Sequence, residues 1–229
     1  LSIQVHPDDE TAKERHNAYG KTEMWYVADA EKDASLIMGF NKETDKAEYL
    51  QALHSNRLMD ILNTEKVKKG DSFFIPAGLV HAIGKGCYIA EIQQTSDITY
   101  RIYDYNRKDA EGHTRELHTD LATDVIDYHY HPKHKVDYTP HDNKSVQLVK
   151  CPYFTTNLLV FDRDIEKEYV HLDSFVIYMC IQGKFTISTG ECDPVMVNKG
   201  ETVLVPACFK NVTLYPDEVS RVLEIYVEE

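Results

Sequence analysis

The 229-residue sequence predicts an all-β fold of two barrels, with helices inserted in the first. Short apolar runs of strand length recur along the chain and are separated by glycine and proline, as in β-sandwiches and barrels. A corner of glycine and proline also occurs twice with the same internal spacing. We therefore expect a first barrel over residues 1–107, a linker over 108–145 and a second barrel over 146–229.

The composition argues against several classes of partner. Lys and Arg number 25 against 38 Asp and Glu, and the resulting net charge of −13 argues against nucleic acid or an anionic membrane as partner. The five cysteines are odd in number and include no CxxC pair, so we expect reduced thiols and a cytoplasmic protein. No run approaches the ~18 apolar residues of a membrane-spanning helix. The oligomeric state is left open.

The first corner is the stretch GDSFFIPAGLVH, from Gly70 to His81. A short apolar strand over residues 72–75 precedes Pro76-Ala77-Gly78. Proline fixes φ, and glycine adopts backbone conformations that other residues resist, so the pair forces a sharp reversal. The corner therefore presents the imidazole of His81 in a fixed direction.

Three upstream side chains are candidate partners of His81. Gln4 and His6 share the polar face of a strand over residues 1–6, and Glu23 begins the next strand. Two imidazoles, a carboxylate and an amide, without a thiolate, suit Zn²⁺ and would also accept Mn, Fe, Co or Ni. His81 alone would more often be a structural histidine, so the metal site requires that the four side chains converge.

The second corner keeps the spacing and loses the histidine. The offsets of Gly70, Pro76, Gly78 and His81 recur in Gly200, Pro206, Cys208 and Asn211. Two barrels of common ancestry account for this repeat, although strand, proline and glycine patterns also recur by chance. We expect the second barrel to be metal-free and structural.

Two segments depart from the strand pattern. Between residues 43 and 66, apolar side chains recur at three- and four-residue intervals, which predicts one or two amphipathic helices covering one mouth of the first barrel. In the linker, the HYHPKH segment from His129 to His134 is a second metal candidate. Its irregular spacing around Pro132 favours a solvated loop.

Four strings of the sequence resemble a known family. They are LSIQVHPDD, GKTEMWYV, PAGLVHAIG and EIQQTSDITYRIYDYNR, in this order over residues 1–107. The corner is similar to the second motif of cupins, which build a metal site inside a small, jelly-roll-like β-barrel. Together the strings resemble type I mannose-6-phosphate isomerase, also called phosphomannose isomerase, in its short bacterial form. Members of this family usually have a further stretch before the LSIQ strand, so we expect a fragment or a shorter architecture.

The resemblance implies a zinc enzyme, with one Zn²⁺ per chain, that interconverts mannose 6-phosphate and fructose 6-phosphate. It assigns zinc ligation to Gln4, His6, Glu23 and His81. It also indicates Glu91 and Arg101 as residues of the catalytic pocket. Lys21 and Ser2 are less secure pocket contacts.

Aldose–ketose isomerisation moves a proton between C1 and C2 while an enediolate is stabilised. Strand alternation groups Glu91 with Ile89 on a face expected to be buried, where desolvation raises the pKa of a carboxylate, so we nominate Glu91 as the base. Arg101 would stabilise the enediolate or hold the phosphate, and Lys21 is a rival for either task. A structural ion pair between Glu91 and Arg101 stays open.

Two other functions use the same ligand set. A non-catalytic protein of two cupin barrels, a bicupin, would bind a sugar phosphate or hold a structural metal without turning over a substrate. A cupin oxygenase with iron is a third hypothesis, against which Gln4 and the SDITYR string count. A coupled assay with mannose 6-phosphate, with and without chelator, discriminates the first two hypotheses.

Overall fold

The computed structural model describes residues 1–228, and its strands (42%) far outweigh its helices (11%). The predicted all-β class is confirmed. The strands are β1 (Ile3–Val5), β2 (Glu23–Ala30), β3 (Ser35–Phe40), β4 (Leu62–Lys66), β5 (Ser72–Ile75), β6 (His81–Ile83), β7 (Cys87–Gln93), β8 (Tyr100–Tyr103), β9 (Lys144–Lys150), β10 (Thr155–Phe161), β11 (Ile165–Glu168), β12 (Val176–Gln182), β13 (Lys184–Ser188), β14 (Val195–Asn198), β15 (Thr202–Val205), β16 (Asn211–Pro216) and β17 (Ser220–Tyr226). The helices are α1 (Asp9–His16), α2 (Lys46–His54), α3 (Leu58–Ile61) and α4 (Thr119–Thr123). None of these helices is long and apolar enough to span a membrane.

The chain divides into two compact units, Leu1–Lys135 and a second that begins at Val136. This break falls inside the segment 108–145 that the sequence predicts as a linker. Residues ahead of the break pack with the first unit, since Ala122 of α4 and the nearby Ile126 are buried in its core. The irregular spacing of the segment hides these few apolar contacts from sequence reasoning.

Two antiparallel sheets form the first unit. The larger has the order β4-β3-β6-β1-β8 and the smaller has the order β5-β2-β7. One apolar cluster joins the inner faces of both sheets and includes Trp25, Leu36, Met38, Phe73 and Ile75. The inner faces therefore pack against each other, and polar side chains on them are held inside the unit.

Helices α2 and α3 cover the outer face of the larger sheet. Tyr49 of α2 and Leu58 of α3 pack with Ile3, Val80 and the rest of that face in a second cluster. The prediction that they cover a mouth of the barrel is wrong, because their apolar stripe matches the outward side chains of β1 and β6. The helical prediction is also wrong over residues 62–66, which pair with β3 as strand β4.

The strand register aligns four candidate residues. Gln4 lies directly opposite His81 of β6 and Arg101 of β8. In the smaller sheet, Trp25 of β2 lies opposite Glu91 of β7. Directly opposite residues share a sheet face, so His81, Gln4 and Arg101 form one row on the larger sheet.

The second unit contains two four-stranded antiparallel sheets, with orders β10-β17-β12-β15 and β11-β16-β13-β14, and strand β9, which lies beside β10. One apolar cluster unites their inner faces and includes Leu159, Tyr178, Phe185, Val205 and Leu214. Strands β3 and β11 are absent from the sequence prediction. Both are short, and β11 has charged residues at three of its four positions, so neither shows a clear alternation.

Candidate metal centre

His6, Glu23 and His81 converge at the inner face of the first unit. All three side chains are buried, and one ligand atom from each lies within 4.8 Å of the others. The Nε2 atom of His6 is 3.2 Å from Glu23 Oε1, and the Nε2 atom of His81 is 3.7 Å from Glu23 Oε2. The carboxylate therefore lies between the two imidazoles.

The corner after β5 positions His81 relative to His6. Gly78 has a φ of 88°, which side chains disfavour, and its N–H donates to the carbonyl of His6 over 2.9 Å. A Cβ on Gly78 would come within 3.0 Å of the Val125 carbonyl. The corner is thus tied directly to the chain segment that presents the second imidazole.

Backbone carbonyls fix the tautomer of both histidines. His6 Nδ1 donates to the Ile98 carbonyl and His81 Nδ1 donates to the Leu79 carbonyl, each over 2.8 Å. Because a carbonyl oxygen only accepts, the proton of each neutral ring is on Nδ1 and the lone pair is on Nε2. Metal-binding histidines are usually oriented in this way.

The donor set fits a divalent cation. Among residues 1–228, His6 Nε2 and both oxygens of Glu23 are buried without a hydrogen bond, and only Lys21 brings positive charge to them, with Nζ 2.6 Å from Glu23 Oε1. Buried acceptors that face one another repel unless a cation lies between them. Gln4 completes the group, since its amide lies 3.3 Å from His81 Nε2 and a half-turn would direct Oε1 to the same centre.

The protonation states suit a metal as well. Burial alone would raise the pKa of Glu23, but the adjacent His6, His81 and Lys21 lower it to about 2. Burial and the neighbouring His6 lower the pKa of His81 to about 4. At neutral pH the carboxylate is therefore ionised and the His81 ring is neutral, as metal ligation requires.

Glu91 lies beside this centre, on β7. Trp25 Nε1 donates to Glu91 Oε2 over 3.0 Å, and Lys21 Nζ is 3.6 Å from Glu91 Oε1. Glu91 lies on the predicted inner face, opposite buried Trp25 and on the same face as Ile89, but its side chain is 34% exposed. Desolvation and the charge of Glu23 nevertheless raise the pKa of Glu91.

Arg101 and Ser2 lie near the same row of residues. Arg101 Nη1 donates to the Glu116 carbonyl over 2.9 Å, and its Nε is buried without a partner in the described part of the chain. The described contacts of Glu91 are with Lys21 and Trp25, so they do not include the ion pair with Arg101 considered above. Ser2 is buried immediately before β1.

Sequence reasoning missed three contributors to the site. One is Trp25, whose position two residues after Glu23 places both on one strand face and signals a contact. The carbonyls of Leu79 and Ile98 leave no signal in the sequence, because their role depends on backbone geometry.

Two other groups of polar side chains lie at the surface of the first unit. In the HYHPKH segment, His129 and His131 each contact a carboxylate oxygen of Asp127 over 2.7 Å. The exposed group of Asp109, Glu111 and His113 also brings three ligand atoms together. Exposed groups of this kind commonly lack a metal, so neither is assigned as a site.

An all-β chain with two histidines, a carboxylate and an amide on the inner face of one unit has the features of the metal-binding cupin class. No family model matches the chain. A mannose-6-phosphate isomerase of Bacillus subtilis is 39% identical over 209 residues, which are 90% of this chain and 65% of that protein. A mannose-6-phosphate isomerase of Streptococcus mutans is 33% identical, over 92% of this chain and 66% of that protein.

Solved structures give the same result. The crystal structure of the mannose 6-phosphate isomerase from Bacillus subtilis aligns with a TM-score of 0.87 and 30% identity, over 99% of this chain and 71% of that one. The chain belongs to the type I mannose-6-phosphate isomerase family. It spans about two thirds of the length of the curated relatives named here.

Proposed function

We propose that this chain provides the metal centre and catalytic pocket of an aldose–ketose isomerase acting on mannose 6-phosphate and fructose 6-phosphate. The observation that supports it most directly is the buried group of His6, Glu23 and His81, whose ligand atoms lie within 4.8 Å of one another. The names of the relatives supply the substrate class.

Zinc is the proposed metal, held by Gln4, His6, Glu23 and His81. Nitrogen and oxygen ligands without thiolate suit Zn²⁺, and a set with a single anionic ligand preserves Lewis acidity toward sugar oxygens. The two imidazoles are held by backbone carbonyls, so their geometry needs little rearrangement on binding. Metal binding would also relieve the repulsion among the buried acceptors.

Glu91 is the proposed base that removes the C2 proton of the aldose and returns it to C1. Its raised pKa brings the carboxylate closer to the operating pH, where proton transfer in both directions is efficient. The hydrogen bond from Trp25 fixes one oxygen, which leaves the other directed toward Lys21. Lys21 would stabilise the enediolate charge from its position between Glu23 and Glu91.

Arg101 is the proposed phosphate or enediolate contact. Its Nε is a buried donor without an acceptor among residues 1–228, on the same face as Gln4. A guanidinium suits this task because its donors match phosphate oxygens in pairs. Ser2, two residues before Gln4, would add a substrate hydrogen bond.

The setting proposed for this reaction is the cytoplasm. All five cysteines are free, as is usual for proteins of this reducing compartment. The net charge of −13 disfavours nucleic acid as a partner.

A matched pair of variants tests the assignment. His81→Ala should lose both bound metal, measured by mass spectrometry, and turnover of mannose 6-phosphate in a coupled assay. Asn211→Ala, at the corresponding position of the second corner, should retain both. Chelator should abolish turnover and re-added Zn²⁺ should restore it. Stoichiometric zinc without turnover of any hexose phosphate would reject the isomerase and favour a binding protein.

A further inference from the structure

A cleft of about 1150 Å³ opens in the second unit, and polar side chains form its floor. Glu224 of β17 lies there and is 2% exposed, and Asn157 of β10 is 8% exposed. Such a volume is ample for a small molecule, and a few convergent polar groups in a concave site are typical of ligand pockets. Nothing in the isomerase chemistry uses these residues.

The strand register relates this cleft to the catalytic pocket of the first unit. In each unit an aromatic residue has two partners directly opposite it on the neighbouring strands, β5 and β7 beside β2 in the first unit and β15 and β17 beside β12 in the second. One partner is a carboxylate, and the other is the third residue after the corner glycine. These residues are Trp25, Glu91 and Phe73 in the first unit and Tyr178, Glu224 and Val203 in the second. Glu224 therefore occupies the position that corresponds to Glu91.

The same register shows that the metal ligands have been replaced. Glu23 lies opposite Ile75, five residues after the first corner glycine, and Val176 lies opposite Val205, five residues after the second. Asn211 takes the place of His81 at the offset of the corner. The second unit thus keeps the pocket carboxylate and lacks the carboxylate and the imidazole that form the metal centre.

A hydrogen-bond network fixes the floor of the cleft. Lys167 Nζ lies 2.8 Å from Glu224 Oε1 and 2.7 Å from Ser145 Oγ. Asn157 Nδ2 donates to Glu224 Oε2 over 3.2 Å and to Tyr226 Oη over 3.1 Å. Burial by itself would raise the pKa of Glu224, but Lys167 outweighs it and holds the pKa below its usual range. The Glu224 carboxylate is therefore ionised at neutral pH.

Fixed donors and an acceptor remain for a ligand. Lys167 uses two of its three N–H groups in the contacts above, and Tyr226 accepts from Asn157 while its own O–H can donate. The carbonyl oxygen of Asn157 is an acceptor in the same place. Alternating donors and acceptors of this kind match the hydroxyl groups of a sugar.

The charge of the cleft disfavours a phosphate. Four carboxylates line it, and its lining lysine, Lys167, is paired with Glu224. Two lysines that contact lining residues are also bound, Lys150 to Glu228 and Lys210 to the Leu172 carbonyl. A phosphate bound there would lie among four carboxylates, whose negative charge opposes it. The exposed side chains of Phe175 and Leu204 offer an apolar wall for the carbon skeleton of an uncharged ligand.

We propose that the second unit binds a small, uncharged, polyhydroxylated ligand, with a free hexose as the class that fits, in this metal-independent cleft around Glu224. The site is separate from the isomerase pocket and does not depend on the function proposed for it.

Saturation-transfer NMR and calorimetry on the whole chain, in the presence of chelator, test the proposal. Free mannose and fructose should bind saturably with a Kd on the order of millimolar, and inorganic phosphate should not compete. Glu224→Gln should weaken hexose binding about tenfold or more, because the charged network that orients the floor is lost. Phe175→Ala should also weaken it, whereas Met196→Ala, at an exposed apolar position outside the cleft, should not.

Each remaining outcome overturns the proposal. These are no saturable hexose signal, displacement of the hexose by inorganic phosphate, or hexose binding that disappears with chelator. If Glu224→Gln lowers the thermal transition of the second unit, Phe175→Ala decides, since its exposed side chain is not part of the buried network. Unchanged affinity in Phe175→Ala then rejects the site.

Discussion

The indole Nε1 of Trp25 donates a hydrogen bond to Glu91 Oε2 over 3.0 Å, while the same ring meets the His81 imidazole edge to face at 5.3 Å between centroids. One buried side chain therefore contacts both a candidate metal ligand and the candidate base. The contact follows from strand pairing, since Trp25 and Glu91 lie directly opposite each other on β2 and β7. Trp25 is accordingly a positioning residue.

Trp25→Phe should raise the pKa of Glu91 further. The hydrogen bond from the indole favours the ionised carboxylate, so its removal leaves desolvation and the charge of Glu23 less opposed. The titration of a ¹³C-labelled Glu91 carboxyl should move to higher pH in the variant. In an active enzyme, the acid limb of kcat/KM should move the same way, because the base works only when ionised. An unchanged titration would show that the indole does not tune Glu91.

Lys21→Met should destabilise the metal-free protein more than the metal-loaded protein. Lys21 is buried and its ammonium lies 2.6 Å from Glu23 and 3.6 Å from Glu91, so its loss leaves two carboxylates without their counter-charge. Breaking a buried pair in this way costs about 3 kcal/mol. A bound divalent cation would neutralise Glu23 and offset part of that loss.

Denaturant unfolding with and without Zn²⁺ measures this difference. The comparison variant is Lys42→Met, which removes an exposed lysine from its pair with Glu48 and should change the free energy of unfolding by less than about 1 kcal/mol. An equal loss for Lys21→Met in both metal states would argue against a shared site at Glu23.

The Asp104 carboxylate should make the free energy of unfolding of the first unit fall as the pH becomes acidic. Its buried carboxylate accepts from Arg115 Nε over 2.8 Å and also pairs with Arg107, and these bonds hold its pKa well below the usual range. A carboxylate whose pKa is lower in the folded than in the unfolded state makes its full contribution to stability above the unfolded pKa of about 3.9. That contribution is lost as the pH falls toward the folded pKa.

Asp104→Asn should therefore lower the free energy of unfolding by about 1–2 kcal/mol at pH 7, since both arginines are half exposed. The difference in the free energy of unfolding between the variant and the parent should become smaller below about pH 4. Urea unfolding at several pH values between 7 and 3 checks this. A gap that stays constant over that range would mean that the carboxylate charge contributes nothing.

The sequence predicts the local features of the site and leaves its assembly open. The Pro76–Gly78 turn and the alternation of Gln4 and His6 are short-range patterns, so the corner and the polar strand face follow from them directly. Which strand lies beside which depends on long-range packing. For that reason neither the partial exposure of Glu91 on the inner face of β7 nor the role of Trp25 follows from the local pattern. The helices were predicted from periodicity, but the sheet face that they cover has no local signature.

The hydroxyl of Tyr49 offers a test of the helix-covered face of the larger sheet. Its side chain is fully buried, and its Oη has no hydrogen-bond partner within residues 1–228. An unsatisfied buried hydroxyl costs about 1–3 kcal/mol, so Tyr49→Phe should leave the free energy of unfolding unchanged or raise it by about 1 kcal/mol.

The ring of Tyr128 packs against Tyr49 at 5.9 Å between centroids and provides the matched control, because its hydroxyl donates to the Thr123 carbonyl over 2.9 Å. Tyr128→Phe should lower the free energy of unfolding by about 1 kcal/mol, since the carbonyl loses its donor. In thermal and urea unfolding, Tyr49→Phe should therefore be at least as stable as the parent, and Tyr128→Phe should be less stable than the parent. A larger loss in Tyr49→Phe than in Tyr128→Phe would mean that the Tyr49 hydroxyl is satisfied in solution.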